Sequence, residues 1–322
     1  MNTKATEPQL GIVVVTHNSA AHLAACLHSA LRYTNHVVVV DNASTDDTAA
    51  IARRDFPGVR LEANPDNRGF AGGVNQGVRA LPEEASFVLL LNPDARLLTS
   101  PAPMLARACQ SGVGAVGGRL VTNAGKDQEG FTIRRFPTVA SLIFETLGLN
   151  RLFPWNPVNR RYRALDLDLS RSQPADQPPG ALLLFPRAVW TQLGGFDERF
   201  HPVWFEDVDF LRRVANLGYA IWYTPETRAE HAGGHSVLKL QLTDRQQFWY
   251  GNLLQYVALH TGPPMAVRLV AVAVLVGIGI RRLFTRTRGT AAPGRGSVAG
   301  LAWHLVVHGK LPSAGQDQLR KA

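Results

Sequence analysis

The run LGIVVVT (10–16) decides the fold. Seven uncharged, mostly β-branched residues in a row predict a strand covered on both faces, as in a parallel sheet. Residues 20–32 place Leu23, Leu27, Ala30 and Leu31 on one helical face. HVVVV (36–40) repeats the buried-strand pattern and ends at Asp41, and Ser44-Thr-Asp-Asp47 predicts a capping box opening a helix to about Arg54. Val59–Ala63 is a third short strand. Asn67–Gly73 (NRGFAGG) is a glycine-rich loop entering a helix to about Ala80, and SFVLLL (86–91) is a fourth strand ending at Asn92-Pro-Asp94. Four strands alternating with helices through short connections predict an α/β fold with an open, mostly parallel sheet. Ligands of such sheets bind beyond the carboxyl ends of the strands. Thr16-His17, Asp41-Asn42, Asn64 and Asn92-Pro-Asp94 all stand there.

Downstream, a helix is predicted over about 101–110 and a strand over 113–121. Residues 122–179 read as irregular, with six prolines and many arginines; a segment of that length in a compact domain is usually functional. GALLLF (180–185) is a strand and 187–193 a short helix. Then comes FDERFHPVWFEDVDF (196–210), where Asp197, Glu198, Glu206, Asp207 and Asp209 are interleaved with Phe200, Val203, Trp204 and Phe205. Carboxylates against apolar side chains are costly unless paired, metal-bound or used in chemistry. Phe210, Leu211, Val214 and Leu217 make Glu206–Leu217 a helix with Gly218 as its cap, so Glu206 and Asp207 open it. A last strand is expected over Tyr219–Tyr223, followed by HAGGH (231–235).

The net charge of +9 is not spread evenly. Residues 1–238 hold 23 Lys and Arg against 23 Asp and Glu, and residues 239–322 hold 11 against two. A neutral body excludes a nucleic-acid binder, and a basic, apolar tail fits an anionic membrane surface. In that tail, 240–260 reads as a helix. Leu269–Ile280 is a twelve-residue apolar run, roughly 18 Å of helix, which fits lying on a membrane rather than crossing about 30 Å of hydrocarbon. Arg281, Arg282, Arg286 and Arg288 follow it. The two cysteines, Cys26 and Cys109, fall in predicted helices and read as small buried hydrophobes.

Several of these residues carry chemistry. Asp41 at a strand end suits a base N–H or a ribose hydroxyl, with an Asx turn as the bland alternative. Asn67–Gly73 is neither GxGxxG nor a Walker A loop; it fits a helix N-terminus facing a diphosphate, or mere close packing. Asn92-Pro-Asp94 offers a hard oxygen to Mg²⁺ or Mn²⁺, or is a β-turn with Pro at its second position. His231, beside glycines, is a further ligand candidate.

The segments VVVTHNS (13–19), VVVVDNASTDDT (37–48), NRGFAGGVNQGV (67–78), LLLNPDA (89–95), GALLLFPRAVWTQLGGFDERF (180–200), FEDVDFLRRVANLGY (205–219) and HAGGHS (231–236) together resemble the inverting family 2 glycosyltransferases of the GT-A fold, in particular the rhamnosyltransferase-like branch of bacterial polysaccharide synthesis. The resemblance implies a GT-A catalytic domain over 1–238, with a nucleotide-sugar half to about 121 and an acceptor half over 122–238, and a helical C-terminal appendage over 239–322. It implies that Thr16, Asn18, Asp41, Asn42 and Asp46 lie at the nucleoside, that Asn67, Gly69 and Gly73 lie near the diphosphate, and that Asp94 is the surviving acid of a DxD motif whose first position is Asn92. It further implies His231 as a second metal ligand, Asp207 as catalytic base with Glu206 beside it, and Asp197 and Trp204 at the acceptor. The implied cofactor is Mg²⁺ or Mn²⁺, and the implied donor is dTDP-L-rhamnose, with UDP-sugars as the alternative. The implied acceptor is a saccharide, lipid-linked given the tail, at the cytoplasmic face of a bacterial inner membrane; a homo-oligomer is compatible with all of this.

Three other classes fit less well. A nucleotidyltransferase needs a basic, glycine-rich loop after the first strand, where this chain has His17-Asn-Ser-Ala-Ala21; a Rossmann dehydrogenase needs GxGxxG at the same place. A non-catalytic sugar-binding module would have no use for Asp207.

Overall fold

The computed structural model describes residues 9–233, 242–286 and 297–312. His235 and Arg288 lie outside these, as do the side chains of Arg282 and Arg286. The chain forms two compact units: residues 1–134, 167–198 and 206–239 make the first, and residues 135–166, 199–205 and 240–322 the second.

In the first unit the expected alternation is present: β1 Leu10–Thr16, α1 Ala20–Ala30, β2 Val37–Asn42, α2 Thr48–Asp55, β3 Arg60–Asn64, α3 Gly69–Ala80 and β4 Phe87–Leu91. Every residue of β1 and β2 is buried, as an apolar run covered on both faces requires. Next come β5 Ala95–Leu97, α4 Ala102–Ala108 and β6 Val113–Val121. Nine strands form one sheet in the order β3-β2-β1-β4-β8-β6-β9-β5 once β8 (Leu182–Pro186) and β9 (Ala220–His231) join, with β7 (Gln173–Pro174) paired to β9. The four leading strands are parallel, and so are β6 and β9. Strand β8 runs antiparallel between β4 and β6, so the sheet is mixed. The helices α8 (Arg187–Leu193) and α9 (Glu206–Asn216) complete this unit.

Four local expectations are corrected. Ser44 caps nothing: α2 starts at Thr48 behind Asp47, which makes no side-chain cap bond, because the Ser44 hydroxyl is turned toward Asp41. The last strand is more than twice the expected length, since TPETRAEH alternates buried and exposed residues after the apolar start. Residues 122–179 are not wholly irregular; α5 (Val139–Thr146), α6 (Leu149–Leu152) and α7 (Pro157–Tyr162) lie there, too short for periodicity to reveal them. Cys26 is buried but Cys109, just past α4, is exposed.

The second unit contains α5–α7 and the helices α10 (Leu242–His260), α11 (Pro264–Arg286) and α12 (Ser297–His308). The tail helix is 23 residues long, not twelve. Its stretch Pro264–Arg281 is long and apolar enough, with mean hydropathy 1.9, to cross a membrane, and a third of it is buried within the protein. Val267, Val270, Ala271 and Val274 are buried, and α11 crosses α5 at Gly277, where a Cβ would stand 2.7 Å from the Thr146 carbonyl oxygen. The opposite stripe, Met265, Leu269, Val272, Val276 and Ile280, is exposed.

Candidate active site

Thr16 and Asp41 are register partners at the ends of β1 and β2. The Thr16 hydroxyl donates to Asp41 Oδ1 at 2.9 Å and the Ser44 N–H to Oδ2 at 3.2 Å. Both residues are almost fully buried. Protein donors therefore hold the Asp41 carboxylate in one orientation at the strand end. One step along, the Asn42 amide donates to the Gly69 carbonyl at 2.9 Å and accepts from Asn64 at 3.0 Å. This ties β2 and β3 to the start of α3. Asn67 Oδ1 accepts from the Gly69 N–H at 2.8 Å, and Gly69 has φ +72°, the left-handed value that glycine takes without strain.

Three candidates for the donor side have structural work of their own. Asn18 Oδ1 accepts from the Thr45 N–H at 2.8 Å and so shapes the loop after Asp41. Asp46 accepts from the Ala20 N–H at 3.2 Å and from the Thr48 hydroxyl, joining the starts of α1 and α2. Gly73 faces β1: a Cβ there would stand 2.6 Å from Val15 Cγ1, so close packing alone requires this glycine.

At the end of β4, Asn92-Pro93-Asp94-Ala95 forms a β-turn closed by the Ala95 N–H on the Asn92 carbonyl at 2.9 Å. The turn delivers Asp94 to His231, whose register partner is Ala95. Asp94 Oδ1 lies 3.4 Å from His231 Nε2. The other ring nitrogen, Nδ1, is 3.1 Å from Gln128 Oε1, and the Gln128 amide donates to the His231 carbonyl at 2.6 Å. With Nδ1–H donated to Gln128, Nε2 presents a lone pair; it is buried and has no hydrogen-bond partner. Two acceptors facing each other across 3.4 Å fit a divalent cation, with phosphate oxygens and water completing its shell. Burial opposes the charge of Asp94; with Nε2 protonated instead, His231 and, further off, His22 hold its carboxyl below the usual range. Phe131 stacks on the imidazole, with ring centroids 5.4 Å apart.

The two acids that open α9 have different surroundings. Asp207 Oδ2 accepts from the Gly180 N–H at 2.9 Å and Oδ1 from the Val208 N–H at 2.8 Å. Burial pushes its carboxyl above the usual range, and those two N–H groups with the charge of Arg134 pull it part of the way back. Glu206 is 5% exposed and its Oε2 has no partner; burial first, then the neighbouring Asp207 charge, push it well above the usual range. Asp209 is structural, paired to Arg213 at 2.8 Å. Gly180 also links Asp207 to the Asp94–His231 pair, because the next residue, Ala181, accepts from the Asn92 N–H at 3.1 Å. Two adjacent residues before β8 thus hold both Asp207 and the Asp94 turn.

On the expected acceptor side, Asp197 sits in the first unit. Trp204 belongs to the second, with φ +80°, in a loop held by Asn252, whose side-chain amide reaches the carbonyls of His201, Val203 and Trp204 at 2.9–3.3 Å. Sequence reasoning passed over Gln128, His22, Gly180 and Asn75. Asn75, buried on α3, spends all four of its hydrogen bonds on this region: to the Phe196 carbonyl (2.8 Å), Glu198 Oε1 (3.0 Å), the Phe196 N–H (2.8 Å) and the Trp190 indole N–H (3.1 Å). A buried polar residue in the middle of NRGFAGGVNQGV was the available signal.

The sequence pattern of Glycosyl transferase family 2 matches residues 11–165. An N-acetylglucosaminyl-diphospho-decaprenol L-rhamnosyltransferase of Mycobacterium tuberculosis is 30% identical over 247 residues, 70% of this chain and 77% of that protein. Among solved structures, the mannosyltransferase PcManGT from Pyrobaculum calidifontis, in complex with GDP-Man and Mn²⁺, superimposes with a TM-score of 0.52 at 20% identity, over 94% of this chain and 79% of its own. GalNAc-T7 with UDP, GalNAc and Mn²⁺ gives the same score at 14% identity, over 70% of this chain and 44% of its own. The fold is therefore GT-A-like, and the chain, a glycosyltransferase, belongs to glycosyl transferase family 2.

Proposed function

We propose that this glycosyltransferase is an inverting enzyme that moves L-rhamnose from dTDP-L-rhamnose to a lipid-linked saccharide in bacterial cell-wall polysaccharide synthesis. The observation that carries the reading is the placement of Asp207: a carboxylate held by two backbone N–H groups, one residue from the strand edge that holds Asp94. The resemblance to the mycobacterial rhamnosyltransferase, whose name specifies an N-acetylglucosaminyl-diphospho-decaprenol acceptor, supports the sugar and the acceptor class.

Asp41, braced by Thr16 and Ser44, accepts from the nucleoside, and Asn18 and Asp46 shape the loop around it. The N-terminus of α3, shaped by the Asn67–Gly69 bond, faces the diphosphate. Asp94 and His231, with Asn92 beside them, would hold Mg²⁺ or Mn²⁺, which when bound would supply positive charge at the departing nucleoside diphosphate. Asp207 takes the proton of the acceptor hydroxyl as its oxygen attacks the anomeric carbon. The bond from that carbon to the diphosphate oxygen breaks, the electron pair leaves with the nucleotide, and one displacement inverts the configuration. Glu206, whose buried site disfavours its charged form, leaves the base role to Asp207. Asp197 contacts the acceptor. The exposed stripe of α11 and the basic C-terminal quarter bring the enzyme to an anionic membrane surface, as a peripheral protein of the cytoplasmic face.

The test is transfer from dTDP-L-rhamnose, UDP-glucose and UDP-N-acetylglucosamine to a short-chain polyprenyl-diphosphate N-acetylglucosamine, followed by mass spectrometry, with the new linkage assigned by NMR. Turnover with a UDP-sugar alone would overturn the donor, and retention of configuration would overturn the mechanism.

A further inference from the structure

The segment joining α6 to α7 has its polarity inside out. Asn150 and Asn159 are buried, 6% and 4% exposed, whereas Leu152, Phe153 and Trp155 are 65%, 52% and 70% exposed. The asparagines build the turn. Asn156 Oδ1 accepts from the Asn159 N–H at 2.8 Å, and its amide donates to the Phe153 carbonyl at 2.7 Å and to Asn150 Oδ1 at 3.1 Å. Asn159 donates to the Pro154 carbonyl at 2.7 Å. A turn this closely bonded through its side-chain amides holds three large apolar groups outward, and Phe153 and Trp155 meet edge to face at 6.3 Å. Exposed large apolar groups this close together, unlike scattered single ones, mark a contact surface.

The charge around them selects the partner. Residues 135–166 hold five arginines and two acids. Asp166 is forked by Arg135 at 2.6 and 2.7 Å, and Glu145 lies 3.8 Å from Arg163. That leaves Arg151, Arg160 and Arg161 in excess, all exposed. A tryptophan and a phenylalanine rimmed by unbalanced arginines match the boundary between anionic headgroups and acyl chains, where aromatic rings lie at headgroup depth and each arginine gains from the surface potential.

We propose that Leu152, Phe153 and Trp155, with Arg151, Arg160 and Arg161, form a wedge that inserts into the headgroup region of an anionic bilayer. The inference rests on the reading of this enzyme as a peripheral membrane protein, and adds a contact site separate in sequence from the C-terminal tail.

The test uses the full chain, sedimented with vesicles of phosphatidylcholine alone and of phosphatidylcholine containing phosphatidylglycerol. The variant Leu152→Ser/Phe153→Ser/Trp155→Ser changes only exposed groups, so its thermal melt and its turnover of a water-soluble acceptor should match wild type. Its partition onto anionic vesicles should fall roughly tenfold or more. Arg151→Gln/Arg160→Gln/Arg161→Gln should lose roughly a hundredfold on anionic vesicles and nothing on neutral ones. A comparison variant, Leu269→Ser/Val272→Ser/Val276→Ser, alters the α11 stripe. If wild type fails to bind anionic vesicles, the peripheral reading falls, and this inference with it. If wild type binds, the stripe variant does not and the wedge variant is unaffected, this inference alone is overturned. A wedge variant that keeps vesicle binding but changes molar mass in light scattering would assign the surface to a second copy instead.

Discussion

Nε2 of His231 and Oδ1 of Asp94 face each other at 3.4 Å, while the opposite ring nitrogen is engaged by Gln128. A metal ligand oriented in this way depends on its outer partner. Gln128→Ala should weaken Mn²⁺ or Mg²⁺ activation roughly 10- to 100-fold, read as the cation concentration for half-maximal turnover. His231→Ala and excess EDTA should stop transfer. Full activity in chelator would remove the cation from the reaction.

Asp207→Asn should lower turnover by roughly 100- to 10,000-fold while nucleotide-sugar still raises the melting temperature. As the proposed base, Asp207 would work only when ionised, and burial raises its pKa. The acid limb of kcat/KM should therefore lie at higher pH than an ordinary carboxylate would give. Arg134→Gln removes a charge that favours the ionised form and should shift that limb higher still. A limb that does not move would separate Arg134 from the base.

Glu206 makes the opposite kind of statement, about stability. Its folded-state pKa is well above the unfolded value, so it favours folding at low pH, where it is neutral. That contribution is lost as pH rises through the folded pKa. Glu206→Gln keeps the neutral form at every pH, so its melting temperature should gain on wild type as pH increases. Parallel melting curves across pH would refute a buried neutral acid.

Gly73→Ala separates packing from ligand binding. The new methyl meets Val15 and should cost about 1–3 kcal/mol in urea unfolding. Donor KM should stay close to wild type. A large rise in KM with unchanged stability would instead place Gly73 at the diphosphate.

Asn75→Ala leaves the Phe196 N–H and carbonyl unpaired in a buried site, at about 1–3 kcal/mol for each unsatisfied group. Beyond that loss of stability, acceptor KM should rise while nucleotide binding is kept, because the loop carrying Asp197 loses its anchor. Asn75→Asp, which sets a carboxylate against the Phe196 carbonyl and the Glu198 carboxylate, should be at least as damaging as Asn75→Ala.

The leading half of the sheet was legible because runs such as VVVV have few ways to be satisfied other than as covered strands, and polar residues at their ends then have one place to be. Asp41 and Asp94 follow from that logic; Asp207 opens a helix, and its role is what the family resemblance implies. What was not legible depends on partners distant in sequence. Gln128 and His22 reach the Asp94–His231 pair from other elements, and Gly180 contributes only a backbone N–H. Ser44 misled because its hydroxyl goes to the buried Asp41 carboxylate, while Asp46 accepts from the Thr48 N–H at the start of α2. The length of α11 was underestimated because an apolar-run reading stops at Arg268 and at Arg281-Arg282, although the helix continues past both.

Asn75 has one more consequence. It sits on α3, whose first residues line the proposed donor loop, and it grips the segment that carries Asp197. One rigid helix therefore touches the territory of both substrates. Occupancy of one is then felt by the other through a shared lever, and thermodynamics requires the effect to be mutual. Acceptor should change the Kd for donor by the same factor as donor changes the Kd for acceptor, and independent binding of the two would argue that α3 transmits nothing.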